Sequence, residues 1–416
     1  MTSVGETSMG ESSRGATSRG ETLRGETSVG EQPPSAEGPV AQPRRATGVS
    51  AGERRARAAW SRISEPDDAR AAALVRELGA EQSLAAVLSG SPSTPEVFRM
   101  RAERLVLDRD LEIAEQVGAR IVCPGDDDWP ERLNDLPHPP ICLWVRGPGD
   151  LTVLASRSVS IVGARSSTRY GEMMANDLAA GVADRGFGVV SGAAFGIDGA
   201  AHRGALAVEG YTVAVLAGGV DRAYPVAHSR LIEAAAESGN VIAEVAPGSA
   251  PTRPRFLLRN RLIAAMTCGT VVVEAGLRSG SLNTARTAAD LGRPVGVVPG
   301  PVTSMVSAGC HQASRDGMAV LVTDVAEVVD LLGAYGSEAA PRPRAPSRPT
   351  DDLDPVDAQV LAVVPFRKVV DAMAIALAGG LAPHAVAAGL PRLALLGLVV
   401  RDGAGWKKVP EKRAAD

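Results

Sequence analysis

The sequence predicts an α/β protein: a doubly wound parallel sheet, preceded by a small helical domain and followed by a winged helix. Three observations carry that prediction. Residues 157–332 alternate apolar, β-branched runs with helix-length Ala/Leu segments, the pattern of βα units. The runs contain few polar interruptions, which implies strands buried on both faces and therefore a parallel sheet between two helical layers. Residues 355–410 show three helical segments, then Leu398-Val399-Val400, a Gly403-Ala404-Gly405 turn and Trp406-Lys407-Lys408-Val409, a hairpin after three helices.

Taken in chain order, residues 3–32 repeat a five-residue unit (SVGET, SMGES, SRGAT, SRGET, LRGET, SVGEQ). Residues 1–50 contain no Phe, Tyr or Trp, so this tail cannot bury enough apolar surface to offset the entropy of ordering, and it is expected to be disordered. From 54 to 118, Ala58-Ala59-Trp60, Ile63, Ala73-Leu74, Leu78 and Leu84-Val87-Leu88 recur at helical spacing between Pro66, Gly79 and Gly90-Ser91-Pro92 breaks, giving a small helical domain. A core of 119–333 opens with two short strands, 120–123 and 141–146, on either side of a Pro-rich crossing. Strands are then predicted at Ser158–Gly163, Gly188–Ser191, Thr212–Ala217, Val241–Val245, Thr270–Glu274 and Val295–Val298, with Val320–Val322 as a seventh. Residues 334–354 place four prolines among Arg, Ser and Ala, an extended linker. In the 355–410 domain helices are expected around Asp357–Val363, Val369–Leu377 and Pro383–Leu396, with six Lys/Arg against three Asp.

The 416 residues have 45% hydrophobic and 22% charged residues, which excludes a wholly disordered or collagen-like chain. A net charge of −4 gives no global attraction for a polyanion, so any basic site must be local. Cys123, Cys142, Cys268 and Cys310 form no CxxC pair and read as reduced thiols. No basic-then-apolar leader and no apolar run of about 18 residues is found, so a cytoplasmic, non-membrane protein is expected.

In open α/β sheets, ligands sit beyond the carboxyl ends of the strands. Those loops are rich in glycine and small hydroxyls: Gly163-Ala164-Arg165, Ser191-Gly192 through Asp198, Gly218-Gly219-Val220-Asp221, and Glu274 through Ser279-Gly280-Ser281. Neither GxGxxG after the first strand nor GxxxxGK[ST] occurs. Arg253, Arg255, Arg259 and Arg261 fall within nine residues around Pro251, Pro254, Phe256 and Asn260; with Arg165, Arg222 and Arg278 they compose either a phosphate-binding rim or an ordinary solvated face. The proline context there predicts a loop lying across the sheet edge. Tyr170, Phe195, Tyr224 and Phe256 lie in or beside the same loops, where they either pack inward or offer ring faces to bases. Asp198 and His202 are spaced i, i+4; the reading is a helix cap at Asp198 with a hydrogen bond to His202, with no third metal ligand in view. Ser279 and Ser281 read as caps of the next helix, and no catalytic residue, metal or cofactor is assigned.

In order along the chain, Ser160-Ile-Val-Gly-Ala-Arg165, Ser191-Gly-Ala-Ala-Phe-Gly-Ile-Asp198 with Ala201-His202-Arg203-Gly204-Ala205-Leu206, Leu216-Ala-Gly-Gly-Val-Asp221 with Tyr224-Pro225, Phe256 with Arg259-Asn260-Arg261, Val273-Glu274-Ala275 with Ser279-Gly-Ser-Leu282, and Val298-Pro299-Gly300 together resemble the DprA/Smf family of bacterial DNA-processing proteins. The resemblance implies an extended Rossmann-like core that forms homodimers, binds and protects single-stranded DNA without catalytic turnover, and helps load the RecA recombinase in transformation. Gly163, Arg165, Ser191, Gly192, Phe195, Arg222, Phe256, Arg259, Asn260, Arg261, Ser279, Gly280 and Ser281 are expected at the DNA, with Asp198, His202 and Glu274 as structural motif residues. Arg165, Arg259 and Arg261 are expected to contact phosphates. Phe195 and Leu258 stand where many members carry basic residues; Phe195 is expected to project over the rim and stack on a base. The rival reading, a Rossmann-like nucleotide-binding enzyme or sensor of the phosphoribohydrolase kind, rests on Gly269-Thr270 and Glu274, which match its GGxGTxxE motif poorly. A third reading is a structural adaptor acting through the winged helix.

Overall fold

The computed structural model describes residues 48–333 and 350–410. The pentapeptide tail and most of the Pro/Arg linker lie outside the described residues.

Five helices come first: α1 (Ala51–Ile63), α2 (Ala69–Leu78), α3 (Ala80–Leu88), α4 (Glu96–Ala102) and α5 (Leu107–Gln116). Ser50 caps α1 and Asp68 caps α2, each side chain accepting backbone N–H bonds of the first turn. Trp60, Ile63 and Phe98 form the core of α1 to α4, with the Trp60 and Phe98 rings edge to face at 5.3 Å, while α5 packs through Ala114 into the cluster around Trp144. These helices also grip the first strands of the sheet: Trp144 Nε1 donates to Ser61 Oγ at 3.0 Å, and Arg54 Nη1 donates to the Ile121 carbonyl at 2.7 Å.

The central sheet has nine strands among the described residues: β1 (Ala119–Val122), β2 (Leu143–Arg146), β3 (Ser158–Gly163), β4 (Gly188–Ser191), β5 (Thr212–Leu216), β6 (Asn240–Ala243), β7 (Thr270–Val273), β8 (Val295–Val297) and β9 (Val320–Leu321). Their order is β1-β2-β6-β5-β4-β3-β7-β8-β9. From β3 to β9 every pairing is parallel, as the apolar runs predict. β1 and β2 correct the expectation of a purely parallel sheet. They pair with each other and, through β2 on β6, extend the sheet with two antiparallel strands.

Between the strands run α6 (Arg169–Asp184), α7 (Ile197–Ala207), α8 (Ser229–Ser238), α9 (Arg253–Met266), α10 (Gly280–Asp290), α11 (Ala308–Arg315) and α12 (Val325–Leu332). One face of the sheet packs α9 and α10 around Val162, Leu262, Val272 and Leu282; the other packs α6, α7 and α12 around Ile161, Leu178, Ile197 and Val328. The chain leaves β3 toward β4, β5 and β6, then returns to β7 on the opposite side. The switch in strand order therefore falls between β3 and β7, where a crevice opens.

Helix α9 is the clearest correction. Residues 253–261, expected as a loop across the sheet edge, form its first turns. Pro254 sits at its start, where a missing N–H is tolerated. Apolar periodicity fails to mark it because Arg259 and Arg261 are themselves buried, so polar and apolar residues share the core-facing side.

The C-terminal region has α13 (Pro355–Val363), α14 (Ala372–Gly379) and α15 (Pro383–Leu395), then a hairpin of β10 (Val399–Asp402) and β11 (Gly405–Lys408). Val360, Ile375, Val386, Leu390, Leu393 and Val399 form its core. Val369 and Val370, expected in the middle helix, lie outside it: Val370 bridges to Trp406 and Asp371 caps α14. No single described helix is long and apolar enough to cross a membrane.

Candidate nucleic-acid interface

At the switch point β3 and β7 stay paired to their ends, and the loops that follow them diverge around a cleft of about 490 Å³. It is lined by Gly163, Ala164, Arg165 and Ser166 after β3, Ala194 and Asp198 after β4, Phe256, Arg259 and Asn260 of α9, and Arg278 to Ser281 after β7.

The start of α10 forms one wall. Ser279 caps it as expected, its Oγ accepting from Ser281 N at 3.3 Å and lying 2.7 Å from Ser281 Oγ. Asn260 Nδ2 donates to the Gly280 carbonyl at 3.2 Å, tying α9 to that turn. A first helical turn offers unpaired N–H groups and positive partial charge, which suit a phosphate.

The opposite rim is aromatic and cationic. The Arg165 guanidinium lies 4.7 Å above the Phe256 ring, and Tyr224 stands 5.5 Å beyond. Arg222 is exposed, 3.5 Å from Asp221. Phe195 is 49% exposed, so the ring projects and does not plug the core. It meets His228 edge-on at 5.0 Å, and His228 Nδ1 sits 3.0 Å from the Ala193 carbonyl. His228 is a part of the rim that sequence reasoning missed, since nothing local links it to a residue so far upstream.

Behind the rim the polar groups are structural. Arg259 is buried, and its Nη1 donates to the Val215 carbonyl at 2.8 Å. A side chain at Gly192 would overlap that guanidinium, so Gly192 makes room for Arg259 rather than for a ligand. Gly163 is needed for the same kind of reason: a Cβ there would lie 1.9 Å from the Val273 carbonyl. Burial lowers the Arg259 guanidinium to about 10, opposed by Asp198, and it remains charged at neutral pH. Burial raises the Asp198 carboxyl; Arg259 and the N–H groups of Ala194 and Gly192 pull the other way. Asp198 does not cap α7, contrary to expectation: Gly196 opens that helix with no side-chain cap, and Asp198 instead closes the β4–α7 loop by accepting from Gly192 and Ala194 at 3.2 and 3.4 Å.

His202 does not bond to Asp198, contrary to expectation. Its Nδ1 lies 2.8 Å from Thr212 Oγ1, whose own hydroxyl donates to the Val189 carbonyl, so Nδ1 is the donor. Burial, with Arg259 adding to it, lowers His202 to about 3, so the imidazole is neutral at physiological pH. Ser191 Oγ donates to the Ile161 carbonyl inside the sheet. The Glu274 carboxylate accepts from both N and Oγ1 of Thr168, anchoring the start of α6.

Arg261 departs furthest from expectation. It faces away from the cleft, its side chain is 8% exposed, and Nη2 is 2.5 Å from the equally enclosed Glu244. Arg255 likewise pairs with Glu65 of the α1–α2 loop at 2.8 Å. The seven arginines therefore do not make one basic rim: Arg165 and Arg278 line the cleft from loops, Arg259 lines it from within the core, and Arg261 leaves it.

With this geometry in place, the comparisons with known proteins agree. The model of the family described as DNA recombination-mediator protein A matches residues 120–333, and a GETHR pentapeptide-repeat model matches five copies over residues 5–30. A Mycobacterium tuberculosis protein bearing the DprA name is 45% identical over 364 residues, covering 84% of this chain and 93% of its own. The DNA processing protein DprA of Streptococcus pneumoniae is 37% identical over 204 residues, covering 49% of this chain and 71% of its own. The X-ray structure of DprA from Streptococcus pneumoniae superposes with a TM-score of 0.57 at 30% identity, covering 67% of this chain and 97% of that one. A family match over half of the chain and a relative this similar over most of it carry one conclusion: the chain belongs to the DprA/Smf family of DNA recombination-mediator proteins.

Proposed function

We propose that the protein is a non-catalytic single-stranded DNA binder of the cytoplasm that shields the strand and helps load a RecA-type recombinase, acting as a homodimer joined through the 119–333 core. One observation carries the DNA reading: the exposed Arg165 guanidinium over the half-buried Phe256 ring, beside the exposed Tyr224, across a cleft from the start of α10. Rings take the faces of unpaired bases, while the guanidinium and the helix start take phosphates. Phe195, Arg222, Asn260, Ser279, Gly280 and Ser281 complete the surface. In this reading Gly163, Ser191, Gly192, Asp198, His202 and Glu274 shape it from behind. Arg259 supplies charge from beneath, and Arg261 is assigned to stability rather than to phosphate.

The enzyme reading requires a free carboxylate at Glu274. Thr168 occupies that carboxylate, which counts against it. The C-terminal region is read as a winged helix, and the N-terminal helices as a domain docked on β1 and β2.

Fluorescence anisotropy with labelled oligo-dT tests the proposal. Binding that weakens with salt, and more weakly so after Arg165→Ala, supports it. Hydrolysis of nucleoside monophosphates by the purified protein, without oligo-dT binding, favours the rival. Light scattering tests the dimer, and RecA filament formation on protein-coated strands tests loading.

A further inference from the structure

The C-terminal region divides its surface unevenly. The exposed side of α15 presents Pro383, His384, Ala387, Ala388, Pro391 and Leu395. Its arginine, Arg392, is committed to Asp357 through two bonds of 2.8 and 2.7 Å. A helix with that face has little to offer phosphates or base edges.

The cations gather instead where the hairpin meets the α13–α14 loop. Lys408 N donates to the Pro365 carbonyl at 2.8 Å, and Val370 bridges to Trp406, so residues 365–370 run beside β11. This juxtaposition brings Arg367 and Lys368 of the loop next to Lys407 and Lys408 of β11, with Arg401 across the hairpin opposite Trp406. Among the described residues, no carboxylate pairs with Arg367, Lys368, Arg401 or Lys408; Lys407 is held by Asp402 at 2.7 Å. The Lys408 ammonium lies 4.8 Å above the ring of Phe366, which is 57% exposed. A half-exposed aromatic ring under one cation and beside two others repeats, in another domain, the chemistry of Arg165 and Phe256.

We infer that this hairpin-and-loop surface is a second single-stranded DNA site, which takes phosphates on Arg367, Lys368 and Lys408 and a base on Phe366, while α15 stays off the DNA. Single-stranded rather than duplex DNA fits, because a stacked duplex hides the base faces that an exposed ring would meet. Contact to phosphate and ring face reads no sequence. The site does not depend on the core cleft, and a strand long enough to reach both would engage both.

The test uses the full chain and three variants: Arg367→Gln/Lys368→Gln/Lys408→Gln, Phe366→Ala, and Ala387→Glu/Ala388→Glu on α15. Each is checked for an unchanged melting temperature and titrated with strands of about 10 and about 60 nucleotides, and with a duplex of the longer length. The triple variant is expected to lose about three- to tenfold on the long strand, with a salt slope lower by roughly 2, near 0.7 per lost phosphate, and little on the short one. Phe366→Ala should weaken long-strand binding without changing the slope, and the α15 variant should bind as wild type. Repeating the triple substitution with Arg165→Ala separates the two sites: a core that binds nothing leaves the C-terminal loss intact. Unchanged long-strand binding by the triple variant overturns the inference. So does a loss confined to the α15 variant, and so does an equal loss on duplex.

Discussion

Helix α9 and the loops at the carboxyl edge of the sheet both carry arginine, and the structure uses the two sets in opposite ways. In α9, Arg259 and Arg261 are buried among backbone carbonyls and carboxylates, and Arg255 is paired with Glu65. In the loops, Arg165 and Arg222 remain at the surface, one over a ring and one beside a single aspartate. Equal formal charge therefore does unequal work. A guanidinium held in a buried pair supports the fold, whereas one on a loop can still exchange water for phosphate. Removing arginines one at a time should separate stability from affinity.

The largest separation is expected at Arg261. Arg261→Ala leaves Glu244 enclosed without its cation, and breaking such a pair destabilises by about 3–5 kcal/mol. Thermal denaturation should show a large fall in melting temperature, while the salt slope of oligo-dT binding by the remaining folded protein stays the same. Glu244→Gln/Arg261→Met, which removes both charges, should recover much of the loss. A stable Arg261→Ala protein with a reduced salt slope would return Arg261 to the rim.

His202 gives the same comparison a pH axis. Its imidazole is lowered from 6.5 to about 3, so between these values the unfolded chain binds a proton that the folded chain does not. The contribution is flat above about pH 6.5, and stability falls as pH drops below it, by at most about 1.4 kcal/mol per pH unit. The raised carboxyls of Asp198 and Glu244 slope the opposite way above the ordinary carboxylate range, so the informative quantity is a difference. Urea midpoints of wild type and His202→Gln, followed from pH 7.5 to 5, should change their separation below pH 6.5. Parallel curves would contradict a buried, neutral His202.

Phe195 tests the loop side of the comparison. The ring is half exposed and touches His228, so Phe195→Ala should barely move the melting temperature. Loss of a stacked base should weaken binding by roughly 1–3 kcal/mol with the salt slope unchanged. Arg165→Ala should instead lower the slope by about 0.7, and Phe195→Arg should restore affinity while steepening it. Normal binding by Phe195→Ala together with a much lower melting temperature would make the ring structural.

The same physics decides how much of the molecule is legible in its sequence. The parallel strands announce themselves because strands covered on both faces need continuous apolar runs, and Ser158–Gly163 and Gly188–Ser191 fall where those runs lie. The capping role of Ser279 is legible because it is local. The fate of Arg261 is not: its partner Glu244 lies beyond a different strand, and a buried ion pair looks in sequence like two surface charges. For the same reason α9 reads as a loop, since buried arginines erase the apolar stripe that marks a helix. The pairing of β2 on β6 and the contact of His228 with Phe195 join distant segments, and no local pattern reports them.

The smallest effect is expected from removing everything after Gly333. The core cluster of the C-terminal region draws its residues from Leu353 onward, and the clusters around the sheet draw none from it, so a chain ending at Gly333 keeps its own hydrophobic cores. The cleft, the Arg165–Phe256 pair and Phe195 all lie within the shortened chain. For an oligo-dT too short to span two sites, affinity should therefore fall by less than tenfold, that is by less than about 1.4 kcal/mol. The hairpin surface enters only as the strand lengthens, so the ratio of full-length to truncated affinity should rise with strand length. A tenfold or greater loss on the short strand would make the C-terminal region the primary DNA site and reduce the cleft at the sheet edge to an accessory.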